Sequence, residues 1–195
     1  MVPVEGRGSL PFALWRGESL VAVASLALED AGVRLLDFNT PWSAVCAAEA
    51  PLVVHDPLCP GTPVAFLRSV VSSARPNGPV LVGTRPVTDT VKRLDSGGSA
   101  GSAAGTARVV GGSAAGTAGV VGETVDRSGL VSLASPVVLP AAVVAALPDW
   151  PDLTDLPALV SWLAERFEVA FVEAPAEGRR VVDESDLRLL AATSR

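Results

Sequence analysis

Three observations predict an α/β protein whose central sheet is mostly parallel. Short apolar, β-branched runs such as PLVVHD (51–56) alternate with segments of helical periodicity such as GTPVAFLRSVVSSA (61–74). Strands and helices that alternate at this spacing are typical of parallel strands joined by right-handed crossovers. The length of 195 residues suits one domain with its own core. Ligands of such sheets bind beyond the carboxyl ends of the strands, so the residues that follow each strand are the first candidates for a site.

A strand, a glycine loop and a helix are predicted at the start of the chain. MVPV (1–4) is a short apolar run, and EGRG (5–8) follows it. Residues 17–32, GESLVAVASLALEDAG, place apolar side chains on more than one face of a helix, and Gly32 stands where helices commonly end. VRLLDF (33–38) is predicted as the second strand.

The third predicted strand is PLVVHD, because a β-branched run between two prolines is typical of a buried parallel strand. The helix after it is predicted to have Thr62 as its N-cap and Pro63 as its first residue. A threonine side chain can accept a hydrogen bond from a free N–H of the first turn, and proline fits the first helical position. GPVLVGT (78–84) gives the next strand.

The alternation stops between residues 96 and 122, where the unit SAAGTA occurs twice, at 102–107 and 113–118. A tract of glycine, alanine and serine cannot bury enough apolar surface to offset the entropy of ordering its backbone. We therefore predict a single domain, 1–195, with a flexible insert at 96–122 that forms the tip of a hairpin.

Regular structure resumes after the insert. Asp183 is a plausible N-cap of the last predicted helix, and Asp186 adds negative charge to its first turn, where the helix dipole favours it. The predicted elements are helices in PAAVVAAL (140–147) and DLPALVSWLAERF (155–167), a strand in EVAFVEA (168–174) and a closing helix in DESDLRLLAA (183–192).

Composition excludes several classes of function. The net charge is −6 and basic residues do not cluster, so we expect no nucleic-acid binding. Cys46 and Cys59 form no CxxC motif and His55 is the only histidine, so neither a disulfide framework nor a zinc site is predicted, and reduced thiols suit a cytoplasmic protein. No apolar run approaches the roughly 18–20 residues of a membrane-spanning helix.

Four motifs occur in an order and spacing that resemble a known enzyme family. They are LVVHD (52–56), PVTDTVKR (86–93), TVDRSGL (124–130) and RVVDESDL (180–187). The chain resembles the cytidylyltransferase of the methylerythritol phosphate (isoprenoid) pathway, which joins 2-C-methyl-D-erythritol 4-phosphate to CTP and releases pyrophosphate. The resemblance implies a doubly wound, Rossmann-like nucleotidyltransferase fold with a protruding β-arm that reaches across a homodimer.

The resemblance also implies a sugar-phosphate site on that arm. It places Thr90 and Arg127 there, with Lys92, the only lysine of the chain, in the same motif. A guanidinium suits this role because its planar fork can hold two phosphate oxygens at once. The simpler readings stay open: Lys92 is then a solvated surface residue, and Arg127 makes a turn or a surface ion pair.

Three further positions are carried over from the family. Asp56 matches the carboxylate that meets the sugar hydroxyl and, when a nucleotide is bound, Mg²⁺. Ser135 stands where the family has a threonine, and Arg180 where it has a lysine near the nucleotide phosphates. Asp56 and the adjacent His55 could instead be a strand-end pair satisfied by local backbone, while Cys59 reads as an inert buried thiol.

The departures from the family lie in the part of its active site that binds the nucleotide. The glycine loop that wraps the triphosphate is shortened here, with Glu5 in place of a small residue and Phe12 in place of a lysine. The segment between residues 38 and 51 is too short for the turn and helix that recognise the cytosine. The loss of one hydrogen-bond donor to the transition state lowers the rate about 10²–10³-fold. The loss of an arginine that holds the transferred phosphoryl group lowers it roughly 10³–10⁵-fold.

We therefore predict a degenerate member of this family, a pseudoenzyme with a binding, regulatory or scaffolding role. Its expected partners are a sugar phosphate, a second copy of the chain through the β-arm, or another protein. The alternative is an active, divergent sugar-phosphate nucleotidyltransferase whose triphosphate loop is rebuilt around Gly6, Arg7 and Gly8, with Arg180 beside it. A third possibility is a purely structural role for exposed apolar and tryptophan surface.

Overall fold

The computed structural model of the chain describes residues 1–37, 39–87, 92–95, 120–124 and 130–193, and it gives the backbone alone for 92–95 and 120–124. The chain divides into two compact units. The larger consists of Met1–Arg85 with Leu133–Arg195, and the smaller of Pro86–Ser132.

A four-stranded sheet forms the centre of the larger unit. The strands lie in the order β3 (Leu52–Val54), β7 (Val131–Leu139), β4 (Val80–Pro86) and β8 (Val169–Glu173). Strand β8 is parallel to β4, with Val80 opposite Val169 and Thr84 opposite Glu173. Strand β7 runs antiparallel to β3. The predicted α/β class is confirmed, and the antiparallel β7 is a feature that the alternation of motifs did not indicate.

Six helices and a small hairpin surround this sheet in the described part of the chain. The hairpin pairs β1 (Leu14–Trp15) with β2 (Glu18–Ser19). The helices are α1 (Leu20–Asp30), α2 (Trp42–Ala47), α3 (Val64–Ser73), α4 (Ala141–Ala146), α5 (Leu156–Ala164) and α6 (Glu184–Thr193).

Helices α1 and α3 bury one stripe each against the sheet. Ala24 and Leu28 of α1 and Val70 of α3 contact Val53 and Val138 in one apolar cluster. These side chains recur at helical spacing. One face of each helix is therefore buried in the core, while the opposite face stays exposed to solvent. A second cluster joins the hairpin to α6 and contains Trp15, Leu20, Leu58, Val181, Leu187 and Leu190.

Helix ends follow the sequence prediction where the capping chemistry is local. Gly32 adopts φ +85° directly after α1, and its N–H donates to the carbonyl of Glu29. The carboxylate of Asp183 accepts the N–H of Asp186 in the first turn of α6. At α3 the prediction was one residue out, since Pro63 is the N-cap and the Thr62 hydroxyl donates to the carbonyl of Cys59 instead.

The predicted second strand, 33–38, is not a strand over its described residues 33–37. Val33 and Leu35 pack against the core, but hydrophobic contact alone does not make a strand without a backbone partner. Met1 takes the place beside β3: its amine donates to Val53 O at 2.8 Å and its carbonyl accepts from His55 N at 3.0 Å.

The smaller unit contains a two-stranded antiparallel ribbon. Strand β5 (Lys92–Asp95) pairs with β6 (Val120–Thr124), with Lys92 opposite Thr124. Of the predicted insert, residues 96–119 lie outside the described part and 120–122 belong to β6.

In the described residues, no helix combines the length and the apolar character that a membrane span requires.

Candidate functional site

Asp56 lies directly beyond the end of β3 and is completely buried. Its Oδ1 accepts a hydrogen bond from Nε of Arg7 at 2.9 Å and another from the backbone N–H of Leu58 at 3.0 Å. Its Oδ2 accepts from Nε of Arg180, also at 2.9 Å. One carboxylate therefore joins residues that lie 49 and 124 positions away in the sequence.

The charge of Asp56 is set by opposing effects. Burial acts most strongly and raises its pKa, because a carboxylate loses hydration in the interior. The guanidiniums of Arg7 and Arg180, together with the hydrogen bonds, outweigh burial and hold the pKa below its ordinary value. Asp56 is therefore an anion at neutral pH, neutralised by two cations.

His55 and Ser135 form the second part of the site. His55 Nδ1 lies 2.8 Å from the hydroxyl oxygen of Ser135, which also accepts the N–H of Asp56 at 2.8 Å. Burial lowers the pKa of His55 to about 4, so the ring is neutral at pH 7. The His55 ring is thus satisfied by a serine 80 positions away, whereas the Asp56 carboxylate is satisfied by the local N–H of Leu58 and by two distant arginines.

Arg7 fixes the shortened glycine loop to the rest of the larger unit. Its side chain is only 1% exposed. Nη1 donates to the carbonyl of Glu5 at 2.7 Å and to that of Leu153 at 3.1 Å. Arg7 thus donates to a buried acid and to backbone carbonyls, and its burial shields it from solvent.

The two glycines of this loop differ in their surroundings. Gly6 has φ +74°, and a Cβ there would lie 2.3 Å from the carbonyl oxygen of Thr154. Gly8 has φ +59° and open space around the same position. Gly6 is therefore needed for close packing, whereas Gly8 is needed only for its backbone conformation.

Arg180 is the accessible cation of the site, with 34% of its side chain exposed. Only its Nε is engaged within the described residues, through Asp56. The neighbouring Arg179 is held separately, by an ion pair with Asp186 in α6. Within the described residues, the two terminal nitrogens of its guanidinium therefore have no hydrogen-bond partner.

The elements that depart from the resembled family have their own structures here. Phe12, at the position of the lysine, is 62% exposed in a short 3-10 turn. The short connection to β3 contains α2, and Trp42 in it is buried with Nε1 bonded to the carbonyl of Leu147. A groove of about 470 Å³ lies between residues 33–37, α2 and the start of β3.

The remaining predicted site residues belong to the smaller unit. Thr90 and Arg127 lie outside the described residues. Lys92 is described by its backbone alone, as the first residue of β5. Cys59 is buried, and burial raises the pKa of its thiol, which suits the inert role predicted for it. Among the described residues, no group of three or more potential ligands could hold a metal ion.

Sequence reasoning assigned Arg7 and Arg180 to the nucleotide phosphates and Asp56 and Ser135 to the substrate, and did not predict that Asp56 pairs with both arginines. The missed contact is the ion pair between Arg7 and Asp56, in which the side chain of Arg7 is buried. No local pattern in the sequence indicates this pair, because its two residues lie 49 positions apart.

Comparison with solved structures shows the fold of the methylerythritol phosphate cytidylyltransferases. The 2-C-methyl-D-erythritol 4-phosphate cytidylyltransferase from Thermus thermophilus aligns over 98% of this chain and 95% of its own, with a TM-score of 0.58 and 18% identity. The 4-diphosphocytidyl-2C-methyl-D-erythritol synthase from Anaerococcus prevotii aligns over the same shares, with a TM-score of 0.57 and 12% identity. The Francisella tularensis cytidylyltransferase covers 96% of this chain and 95% of its own, with a TM-score of 0.54 and 13% identity.

Sequence comparison finds no such relative, since no protein-family profile and no curated protein matches the chain. The predicted nucleotidyltransferase-type fold is confirmed by the structural likeness, which spans nearly the whole length of the chain. At these identities the likeness concerns the fold, and a function must be argued from the residues of this chain.

Proposed function

We propose that this chain is a cytidylyltransferase-like pseudoenzyme of the cytoplasm, which binds a phosphorylated ligand or a partner and does not transfer cytidylate. One observation carries the proposal: Asp56, the carboxylate at the strand end, is buried and held by Arg7 and Arg180. In this arrangement the carboxylate neutralises protein cations and is shielded from a substrate.

The loop before α1 supports the same conclusion. Triphosphates are bound by loops whose N–H groups and cations face the ligand. Here Arg7 points inward to a buried acid and to carbonyl oxygens. Phe12 offers no charge at the position of the family lysine. The loop therefore supplies no accessible cation at Arg7 or Phe12 that could offset charge developing during transfer.

A turnover assay tests the proposal directly. The purified chain is supplied with CTP, 2-C-methyl-D-erythritol 4-phosphate and Mg²⁺, and the release of pyrophosphate is followed. We expect no release above the rate without protein. Robust release that is lost in Asp56→Ala, and kept in the exposed control Asp149→Ala, would instead establish the active, divergent nucleotidyltransferase.

The retained binding role is tested by calorimetry. The family resemblance places Thr90, Lys92 and Arg127 at a sugar-phosphate site, and these residue types suit phosphate oxygens. We expect 2-C-methyl-D-erythritol 4-phosphate to bind the wild type, and Arg127→Ala to weaken that binding about ten-fold or more. Equal affinity in the wild type and Arg127→Ala would remove these residues from the proposed site.

The proposed assembly is a homodimer formed through the β5–β6 ribbon. Sedimentation of the full chain, and of a variant with 96–119 replaced by a short glycine turn, tests this assembly. A mass of one chain at micromolar concentration would contradict it.

A further inference from the structure

We propose that Asp56 is an internal counter-ion for two arginines rather than a metal ligand, and that Arg180 binds phosphorylated ligands at this strand end without magnesium. The inference rests on the proposed function and deepens it, since it states how a ligand can be held after transfer is lost. The family that the chain resembles implies a nucleotide with Mg²⁺ at Asp56, so the residues present have to be tested against that ion.

The oxygens of Asp56 do not fit a magnesium ion. A carboxylate has about four lone-pair positions, and three are taken here by Arg7, Leu58 and Arg180. The side chain is 0% exposed. Mg²⁺ requires near-octahedral oxygen ligands and keeps several of its own waters, and there is no room for those waters against a carboxylate enclosed by guanidiniums.

The charges around Asp56 also oppose a cation. Arg7 and Arg180 together carry more positive charge than one carboxylate neutralises, and His55 is uncharged at neutral pH. A divalent cation approaching this end of β3 therefore meets a positive potential, whereas an anion meets an attractive one.

Arg180 supplies the donors that such an anion needs. Its Nε is committed to Asp56 at 2.9 Å, which orients the guanidinium plane. Its terminal nitrogens have no hydrogen bond within the described residues, and the side chain is 34% exposed. A guanidinium fixed on one edge and open on the other is suited to bidentate binding of phosphate oxygens. A lysine at this position would lack that geometry.

The deciding experiment uses the wild-type chain. Inorganic phosphate and 2-C-methyl-D-erythritol 4-phosphate are titrated by calorimetry, once in EDTA and once in excess Mg²⁺. We expect the same Kd under both conditions within about two-fold. Binding that appears only with Mg²⁺, or no heat from either compound under either condition, would overturn the proposal.

Two arginine variants locate the binding. Losing charge-assisted hydrogen bonds of about 1.5–3 kcal/mol corresponds to roughly ten-fold or more in Kd, so Arg180→Gln is expected to weaken phosphate binding by that factor. The matched control is Arg188→Gln, which removes an exposed arginine paired with Glu184 on α6 and should leave Kd unchanged. Equal Kd in wild type and Arg180→Gln would overturn the assignment.

Replacing Asp56 separates the two roles by their dependence on magnesium. If Asp56 held a metal, Asp56→Asn would weaken phosphate binding in excess Mg²⁺ and leave it unchanged in EDTA. If Asp56 is a counter-ion that orients Arg180, Asp56→Asn changes the Kd by the same factor under both conditions. Should this variant fail to fold, the comparison of the wild type with and without Mg²⁺ still decides the question.

The outcomes also distinguish this inference from the proposed function. Mg²⁺-dependent phosphate binding without turnover would refute the inference and leave the pseudoenzyme intact. Turnover of CTP would refute the pseudoenzyme, whatever the magnesium dependence of phosphate binding.

Discussion

Asp56 is stable as a buried anion because two guanidiniums and a backbone N–H surround it. Removing one partner of a buried ion pair typically costs about 3–5 kcal/mol, because the remaining charge is left without compensation. We expect Arg7→Met to lower the free energy of unfolding by this amount, as measured by urea denaturation.

The control for this prediction is Arg34→Met, at an exposed arginine, where surface substitutions usually change stability by less than about 0.5 kcal/mol. Equal stability of the two variants would mean that the buried pair contributes nothing to the fold.

His55 gives the protein a specific pH dependence. The folded state holds the ring neutral with a pKa of about 4, against 6.5 for an exposed histidine, because burial penalises the charged form. The unfolded chain takes up the proton first, so stability is complete above pH 6.5 and falls as the pH drops towards 4. The difference in pKa corresponds to about 3 kcal/mol.

Urea denaturation across this pH range measures the effect, and His55→Asn should flatten the curve between pH 6.5 and 4 because His55 is the only histidine. Asp56 raises the pKa of His55 and the amine of Met1 lowers it. Burial also lowers the pKa of the Met1 amine, from 8.0 to about 6, so its effect on stability falls between pH 8 and 6, above the range of His55. An unchanged slope in His55→Asn would contradict the assignment.

At the scale of elements, the glycine loop 5–8 offers a matched pair of substitutions. Both Gly6 and Gly8 have positive φ, and forcing alanine into that region costs about 1–2 kcal/mol. Gly6→Ala adds a collision with the carbonyl of Thr154, whereas Gly8→Ala adds none. We therefore expect Gly6→Ala to lower the Tm of thermal unfolding clearly more than Gly8→Ala does. Equal decreases in Tm would show that the loop can move away from Thr154 without a cost in stability.

Elements were predictable from the sequence where their determinants are local. Gly32 and Asp183 act within one turn of the helices that they end and begin, so the residue type and its position were sufficient. Residues 33–37 failed as a strand because a strand needs a backbone partner, and no local pattern shows whether one is present. Thr62 failed as an N-cap because the helix begins one residue later, with Pro63 at that position.

At the scale of the whole molecule, four short motifs were sufficient to predict the fold, and the structural likeness confirms it despite identities of 12–18%. Arg7, Asp56, Ser135 and Arg180 were all named from the sequence as candidate site residues, and the structure brings them into contact. Their pairing was not predictable, because Asp56 contacts partners from distant parts of the chain and only the folded sheet brings them together.

The ion pairs of Asp56 also limit how the sequence can change over generations. Replacing Asp56 alone leaves two cations without their acid, and replacing Arg7 alone leaves that acid with one partner. Each single step is expected to be costly, and only changes at two or more of these positions together avoid an unpaired buried charge. A lysine at the position of Phe12 would not by itself expose Asp56, since its carboxylate would still be held by Arg7 and Arg180. Such coupling makes this arrangement of charges difficult to change by single substitutions.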